Sequence, residues 1–182
     1  MGEPQRAASS FQMALDISPD NSNALYNLGN AYKDMGRFKE ALLNYQKAVE
    51  ADSKKSDAYV NMGIIYLKNQ DSRQARIFFE KARESDPGNA KAYFNLAYIE
   101  EMGNHNKDAL EYYKKSIKFD PENAEGYYNL GNVYAKLGLN GQAMEAYTRA
   151  VDKKPNHMDA WVNLSILSYQ KGDYANAVKF CD

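Results

Sequence analysis

The stretch from Ser22 to Lys55, SNALYNLGNAYKDMGRFKEALLNYQKAVEADSKK, returns along the whole chain. Related stretches follow at a constant interval of 34 residues, and they begin at Ser56, Ala90, Ala124 and Met158. A fixed period of this length is typical of solenoid proteins, in which each repeat buries its apolar face against its neighbours. The period therefore predicts a repeat fold before any local pattern is considered.

Each repeat reads as two helices joined by a short turn. With Ser22 as position 1, the residues at positions 4, 7, 8 and 11 share one face of the first helix, which we call helix A. Gly36 at position 15 ends this helix, as a residue with a positive φ does. A second helix, helix B, follows with its own apolar stripe. The small residues Gly29 and Ala41 indicate where the two helices cross.

The pattern of residue types along one repeat resembles that of the tetratricopeptide repeat (TPR) family. In the repeat at 124–157, the pattern is made by Tyr127, Leu130, Gly131, Tyr134, Ala143, Tyr147, Ala150 and Pro155. The resemblance implies an all-α fold, a right-handed superhelix of antiparallel helix pairs with a concave face. Helices are expected near 4–17, 22–35, 38–52, 56–69, 72–85, 90–103, 106–119, 124–137, 140–153 and 158–171.

Five residues depart from the TPR pattern, among them Ser53 in place of the closing proline and Ser116 in place of a helix-B alanine. Gln70 and Asn104 stand where the glycine at position 15 is expected, and asparagine tolerates the left-handed conformation. Glu100 replaces the tyrosine that the other full repeats have at position 11. We expect its carboxylate to extend to the rim of the array.

The domain organisation is predicted to be a single array. It consists of a partial repeat at 1–21 with helix B alone, full repeats at 22–55, 56–89, 90–123 and 124–157, and a truncated repeat at 158–182. The ragged ends indicate a piece of a longer array. We expect weak self-association through incompletely covered side chains at the two ends, namely Ala7, Phe11, Leu15, Trp161, Leu164 and Tyr174.

Composition and charge exclude several classes of partner. The formal net charge is −1, with 23 Lys and Arg against 24 Asp and Glu, so no basic footprint for nucleic acid is present. No apolar run approaches the roughly 20 residues of a membrane span. Neither nucleic acid nor a membrane is therefore expected as a partner. The single cysteine, Cys181, fits a reducing compartment, and a cytoplasmic location is expected.

No combination of residues typical of catalysis stands out. His105 and His157 lie in turns of different repeats, without a cysteine or carboxylate at metal-ligand spacing, and both are expected at the surface. Glycine-rich phosphate-binding motifs are absent. The sequence predicts a protein that is not an enzyme and needs no cofactor and no metal.

The side of helix A opposite its packing stripe carries positions 2, 5, 6, 9, 12 and 13, and we call it the A-helix face. Position 6 is asparagine in all five copies: Asn27, Asn61, Asn95, Asn129 and Asn163. A carboxamide both donates and accepts, so a row of asparagines facing solvent suits the backbone of an extended peptide. The row resembles the asparagine ladder in the TPR arrays of O-linked N-acetylglucosamine transferases. The alternative is that asparagine is merely a common TPR residue here.

Other residues of the A-helix face are candidates for side-chain preference. They are the aromatic residues Tyr26, Phe94 and Tyr128 at position 5, Asn30 and Asn132 at position 9, and Lys91 at position 2. Three of the residues of this face match TPR domains that grip a C-terminal carboxylate. Tyr26 and Asn95, however, stand where those domains have cations, so we do not expect a carboxylate clamp.

The function predicted from these observations is a protein–protein interaction scaffold that binds an extended peptide or partner segment in its concave groove. Two alternatives stay open. The array is the substrate-recognition arm of a larger enzyme such as a glycosyltransferase, or it is a self-assembling structural array.

Overall fold

The computed structural model describes residues 2–179, and Cys181 with the other terminal residues lies outside that range. Eleven helices and no strand occur in this range, which confirms the all-α fold class. The helices are α1 (Glu3–Ile17), α2 (Ser22–Asp34), α3 (Phe38–Ala51), α4 (Ser56–Lys68), α5 (Ser72–Ser85), α6 (Ala90–Met102), α7 (Asn106–Phe119), α8 (Ala124–Lys136), α9 (Asn140–Lys153), α10 (Met158–Gln170) and α11 (Tyr174–Lys179). Each predicted helix is found within one residue of its expected bounds.

The chain divides into two compact units, Met1–Ala92 and Tyr93–Asp182. In the first unit, α2 packs on α3 and α4 on α5, while α1 packs on α2 and α3 on α4. In the second unit, α8 packs on α9, and α10 packs on both α9 and α11. Within each unit, these packed pairs are consecutive helices, because the connections between them are short.

Helix starts follow from local hydrogen bonding. The side-chain oxygens of Asn21 and Asn123 accept from the backbone N–H groups of Ala24 and Gly126, both at 3.0 Å. These bonds satisfy N–H groups that the first turn of a helix leaves without a partner. The same polar residue type therefore begins helix A in repeats of both units.

The two helices of a repeat cross where a glycine of helix A meets an aromatic ring of helix B. A methyl group at Gly29 would stand 2.6 Å from Cε1 of Tyr45, and one at Gly131 would stand 2.5 Å from Cε1 of Tyr147. Tyr45 and Tyr147 are 0% and 2% exposed. The predicted crossing point is therefore confirmed, and its cause is a buried ring that lies directly on the backbone of helix A.

The turn after helix A has one left-handed residue in every repeat. Position 15 has φ angles of 73° at Gly36, 61° at Gln70, 59° at Asn104, 74° at Gly138 and 83° at Gly172. The left-handed conformation predicted for Asn104 is confirmed. Gln70 adopts it as well, although a side chain with a Cβ makes that conformation unfavourable.

Several residues lie elsewhere than the sequence predicted. Glu100 does not extend to the rim but is buried, because its carboxylate pairs with Nδ1 of His105 at 2.9 Å. His157 is buried rather than at the surface, because its ring packs against Tyr128 with centroids 4.7 Å apart. Leu15 and Leu164, expected to be incompletely covered, are 7% and 1% exposed because they belong to the cores formed around α2 and α10.

We predict that Gly131→Ala lowers the free energy of unfolding by about 1–3 kcal/mol, since the added methyl group forces the buried Tyr147 ring to move. Gly131→Leu should cost more. Gly141→Ala in α9 is the matched control, because a methyl group there meets no atom within 4 Å and should stabilise the helix by up to about 1 kcal/mol. Urea unfolding of the variants measures both effects, and equal stabilities would place Gly131 away from the crossing.

We also predict that Gln70→Gly raises the free energy of unfolding by about 0.5–1 kcal/mol, because glycine relieves the left-handed strain at little entropic cost. Gly138→Gln is the reverse test at an equivalent turn. Space is open there, so the backbone alone decides the outcome. Gly138→Gln should lower the melting temperature. A rise of the melting temperature in both variants, or a fall in both, would contradict the explanation by left-handed strain.

Candidate functional site

The asparagines at position 6 lie on α2, α4, α6, α8 and α10, and all five are half-buried. The expectation that these side chains simply face solvent is therefore incomplete. Hydrogen bonds between successive repeats hold two of them, Asn61 and Asn163. The bonding is nearly the same around each, and each set of partners lies within a single unit.

The first set of bonds joins α2, α3 and α4. The Tyr45 hydroxyl donates to Oδ1 of Asn30 at 2.7 Å, and the Nδ2 of Asn61 donates to the same oxygen at 2.9 Å. The Nδ2 of Asn61 also donates to the Tyr26 hydroxyl at 3.3 Å. Asn30 thus uses its oxygen twice, whereas Asn61 uses only its nitrogen.

The second set repeats this arrangement on α8, α9 and α10. The Tyr147 hydroxyl donates to Oδ1 of Asn132 at 2.8 Å, and the Nδ2 of Asn163 donates to that oxygen at 3.2 Å. The roles of the atoms match those in the first set. Two repeats that are three repeat lengths apart in the sequence therefore form separate polar clusters of the same kind.

The two intervening repeats replace this cluster with different chemistry. Repeat 56–89 has Ile64 at position 9 and the fully buried Phe79 where the tyrosine would stand, so both bonding groups are missing together. In repeat 90–123 the Tyr113 hydroxyl donates to Oε2 of Glu101 at 3.0 Å, and Lys136 donates to the other carboxylate oxygen at 2.6 Å. The A-helix face is polar, apolar or charged according to the repeat.

Burial keeps these tyrosines protonated. Removal from water raises the pKa of Tyr147 to about 12 and raises the pKa of Tyr45 and Tyr113 as well, with the nearby Glu101 carboxylate adding to the effect on Tyr113. A protonated hydroxyl is a donor, so the bonds to the asparagines do not titrate near neutral pH. These bonds fix the orientation of the Asn30 and Asn132 carboxamides.

The aromatic residues at position 5 pack beside the rings of helix B. Tyr26 lies 5.8 Å from Tyr45, and Phe94 lies 5.6 Å from Tyr113, measured between ring centroids. Tyr128 lies 5.9 Å from the Tyr147 ring. These residues are half-buried, and we call the ring pair of each repeat its aromatic floor.

Lys91 is exposed, and its Nζ lies 3.2 Å from the carboxylate of Asp57 in the preceding repeat. Asn30 and Asn61, which match the carboxylate-gripping TPR domains in sequence, bond to each other. The three residues that match those domains therefore each have a partner within the chain. Within residues 2–179, no group of three or more His, Cys, Asp or Glu is placed to hold a metal ion.

The tyrosines of helix B were not among the predicted site residues. A partial signal for them exists within the chain, since both repeats with asparagine at position 9 have tyrosine on helix B, although repeat 90–123 has that tyrosine with Tyr98 at position 9. Asn27 and Asn129 make no side-chain hydrogen bond in the described part of the chain, so the ladder is not uniform.

Comparison with known families identifies the repeat. A TPR repeat profile matches residues 29–70 and 103–138, and tetratricopeptide repeat profiles match residues 1–43, 56–89 and 128–182. The chain belongs to the tetratricopeptide repeat family. The matches together leave only 90–102 uncovered, so the TPR assignment made from the sequence is confirmed over nearly the whole chain.

Solved structures show the same fold. A crystal structure of MamA is 26% identical, with a TM-score of 0.73 over 84% of this chain and 90% of that one. YrrB, described as a TPR protein with an unusual peptide-binding site, is 24% identical, with a TM-score of 0.75 over 96% of this chain and 90% of its own. PilF of Pseudomonas aeruginosa is 18% identical, with a TM-score of 0.87 over 98% and 82%.

No curated protein matches the TPR chain. None of the helices that the structure describes has both the length and the apolar character that a bilayer span requires.

The raised pKa of Tyr147 predicts a loss of stability in alkaline solution. An unfolded tyrosine ionises near pH 10, whereas the folded one holds its proton to about pH 12. The native state then binds more protons between these values, so the free energy of unfolding falls as pH rises from about 10 to about 12. Urea unfolding of wild type and Tyr147→Phe at pH 8, 10 and 11 should show a shallower fall in the variant. Parallel curves would exclude this residue as the cause.

Proposed function

We propose that the chain is a protein-interaction scaffold whose A-helix face binds an extended peptide segment. The observation that supports this most directly is the pair of carboxamides on adjacent repeats that retain unused groups. Asn61 bonds through its nitrogen and Asn30 through its oxygen. An acceptor oxygen on one and donor hydrogens on the other stay available to a peptide.

The surroundings of these groups suit a polypeptide rather than a small charged ligand. The aromatic floor offers apolar contact to side chains, and the peptide amide is neutral, as the asparagines are. The fold similarity to YrrB, a TPR protein described as binding a peptide, is consistent with this use. The alternative of a substrate-recognition arm of a larger enzyme uses the same face, so a binding measurement bears on both.

The decisive experiment is selection of linear peptides from a random display library, followed by calorimetry with the ladder variant Asn61→Ala, Asn95→Ala, Asn129→Ala. Binding should weaken by about 1.5–4.5 kcal/mol if the three losses add. Because Asn61 also bonds within the protein, we expect a stability loss of about 0.5–1.5 kcal/mol as well.

The matched control replaces Asn69 and Asn156, which are exposed asparagines in turns. Peptide affinity should be unchanged in that variant. A folded ladder variant with full affinity would reject the ladder and favour the alternative that asparagine serves the repeat structure alone.

A second proposal concerns weak self-association. The surface of α10 and α11 exposes several apolar side chains, namely Val162, Ile166, Tyr169, Tyr174 and Val178, and part of it forms a cleft of about 710 Å³. We propose that a second copy of the chain covers this patch. Sedimentation should show a concentration-dependent dimer that Val178→Asp disrupts, and a monomer at all concentrations would exclude it.

A further inference from the structure

The A-helix face does not offer the same chemistry in each repeat, and its polar clusters recur. We define subsite 1 as Tyr26, Asn30, Tyr45 and Asn61, and subsite 2 as Tyr128, Asn132, Tyr147 and Asn163. Each subsite lies wholly within one compact unit. Two bonds run between the same atom types in both, at 2.7 and 2.9 Å in subsite 1 and at 2.8 and 3.2 Å in subsite 2, whereas the bond from Asn61 to Tyr26 has no counterpart.

We infer that the chain carries two equivalent subsites, each of which binds the backbone of one residue of an extended peptide. This inference rests on the proposed function and narrows it. Three of the five ladder asparagines, Asn27, Asn95 and Asn129, lie outside the subsites. Tyr45 and Tyr147 are added as positioning residues.

The hydrogen-bond inventory of subsite 1 decides which groups are presented. Oδ1 of Asn30 accepts from both Tyr45 and Asn61, so its Nδ2 takes part in neither bond. The Nδ2 of Asn61 donates, so its Oδ1 takes part in none. Within residues 2–179, the buried side-chain atoms without a partner belong only to Asn106, His157 and Ser168. The two unused groups therefore reach solvent.

A donor beside an acceptor complements the backbone of an extended chain. In an extended strand, the N–H and C=O of one residue lie on the same edge and form two bonds with a matching partner. Asn30 donates to that C=O, and Asn61 accepts from that N–H. Asn132 and Asn163 have the same roles in subsite 2, because Oδ1 of Asn132 again accepts twice.

The buried tyrosines make the subsites rigid. A carboxamide without a partner rotates and presents either atom, whereas the hydroxyl donors of Tyr45 and Tyr147 fix the oxygen of the neighbouring asparagine. Repeat 56–89, which has Ile64 and Phe79 instead, lacks both the donor and the carboxamide to be oriented. Repeat 90–123 keeps the tyrosine, Tyr113, but has Tyr98 at position 9, so its hydroxyl bonds to Glu101 instead.

The test uses the full chain and follows asparagine side-chain amides by ¹H–¹⁵N NMR. The probe is acetyl-tetraalanine amide, and the same peptide with its backbone nitrogens methylated is the matched negative probe. We expect saturable shifts at Asn30, Asn61, Asn132 and Asn163, with much smaller shifts at Asn27 and Asn129. The methylated probe should produce much smaller shifts, since it lacks the N–H group that Asn61 and Asn163 accept from.

Tyr45→Phe should raise the Kd reported by Asn30 and Asn61 by about 3- to 10-fold and leave Asn132 and Asn163 unchanged. Tyr147→Phe should give the mirror result. Tyr113→Phe is the control, because that hydroxyl bonds to Glu101 rather than to an asparagine. The double variant Asn30→Ile, Tyr45→Phe copies the pair already found in repeat 56–89, so it should fold while losing subsite 1 alone.

Two results would overturn the subsites while leaving the proposed function intact. One is equal shifts at all five ladder asparagines, and the other is an unchanged Kd in folded Tyr45→Phe and in the double variant. If the unmethylated probe shifts no asparagine at all, both the subsites and the peptide-binding ladder are rejected.

Discussion

The contact between a small residue of helix A and a buried aromatic ring of helix B is the interaction on which the full repeats depend. Where helix A has a glycine, the ring of helix B approaches to a distance that a methyl group would fill, as at Gly29, Gly63 and Gly131. Close packing of this kind leaves few alternative positions for the ring, because protein interiors tolerate neither voids nor overlaps. The contact therefore sets the separation of the two helices, and the turns on either side follow from it.

The same contact also places a polar group at the A-helix face. A tyrosine ring held against a helix backbone has its hydroxyl in a fixed position, and a buried hydroxyl requires a partner. In two repeats that partner is an asparagine of the same repeat, Asn30 or Asn132, which in turn accepts from the asparagine of the next repeat. Core packing and the arrangement of polar groups are thus coupled.

Variation at a few positions changes the chemistry of a repeat without changing its backbone. Replacing tyrosine and asparagine by Phe79 and Ile64 gives an apolar repeat, and placing Glu101 below Tyr113 gives a charged one. A repeat fold permits this because each unit contacts only its neighbours, so the side chains of one face vary independently. The fold alone therefore does not identify the partner.

The sequence by itself determined the fold class, the helix bounds and the register of the repeat. Apolar periodicity, small residues at the crossing and turn residues at position 15 are local signals that repeat, so errors at one copy are corrected by the others. The left-handed turn at Asn104 and the contact at Gly29 were predictable for the same reason. The sequence also placed the five asparagines on one face, because helical periodicity needs no tertiary information.

Only the tertiary structure decided what those asparagines do. Position 6 looks identical in every copy, yet Asn61 and Asn163 bond across repeats, whereas Asn27 and Asn129 do not. The difference arises from side chains on other helices, such as Tyr45 and Tyr147, which meet the asparagines only after the helices pack. Burial of His157 has the same origin, since its ring packs against Tyr128 of α8. Hydrogen-bond partners that come from different helices are fixed by packing, and the period of a sequence does not specify packing distances.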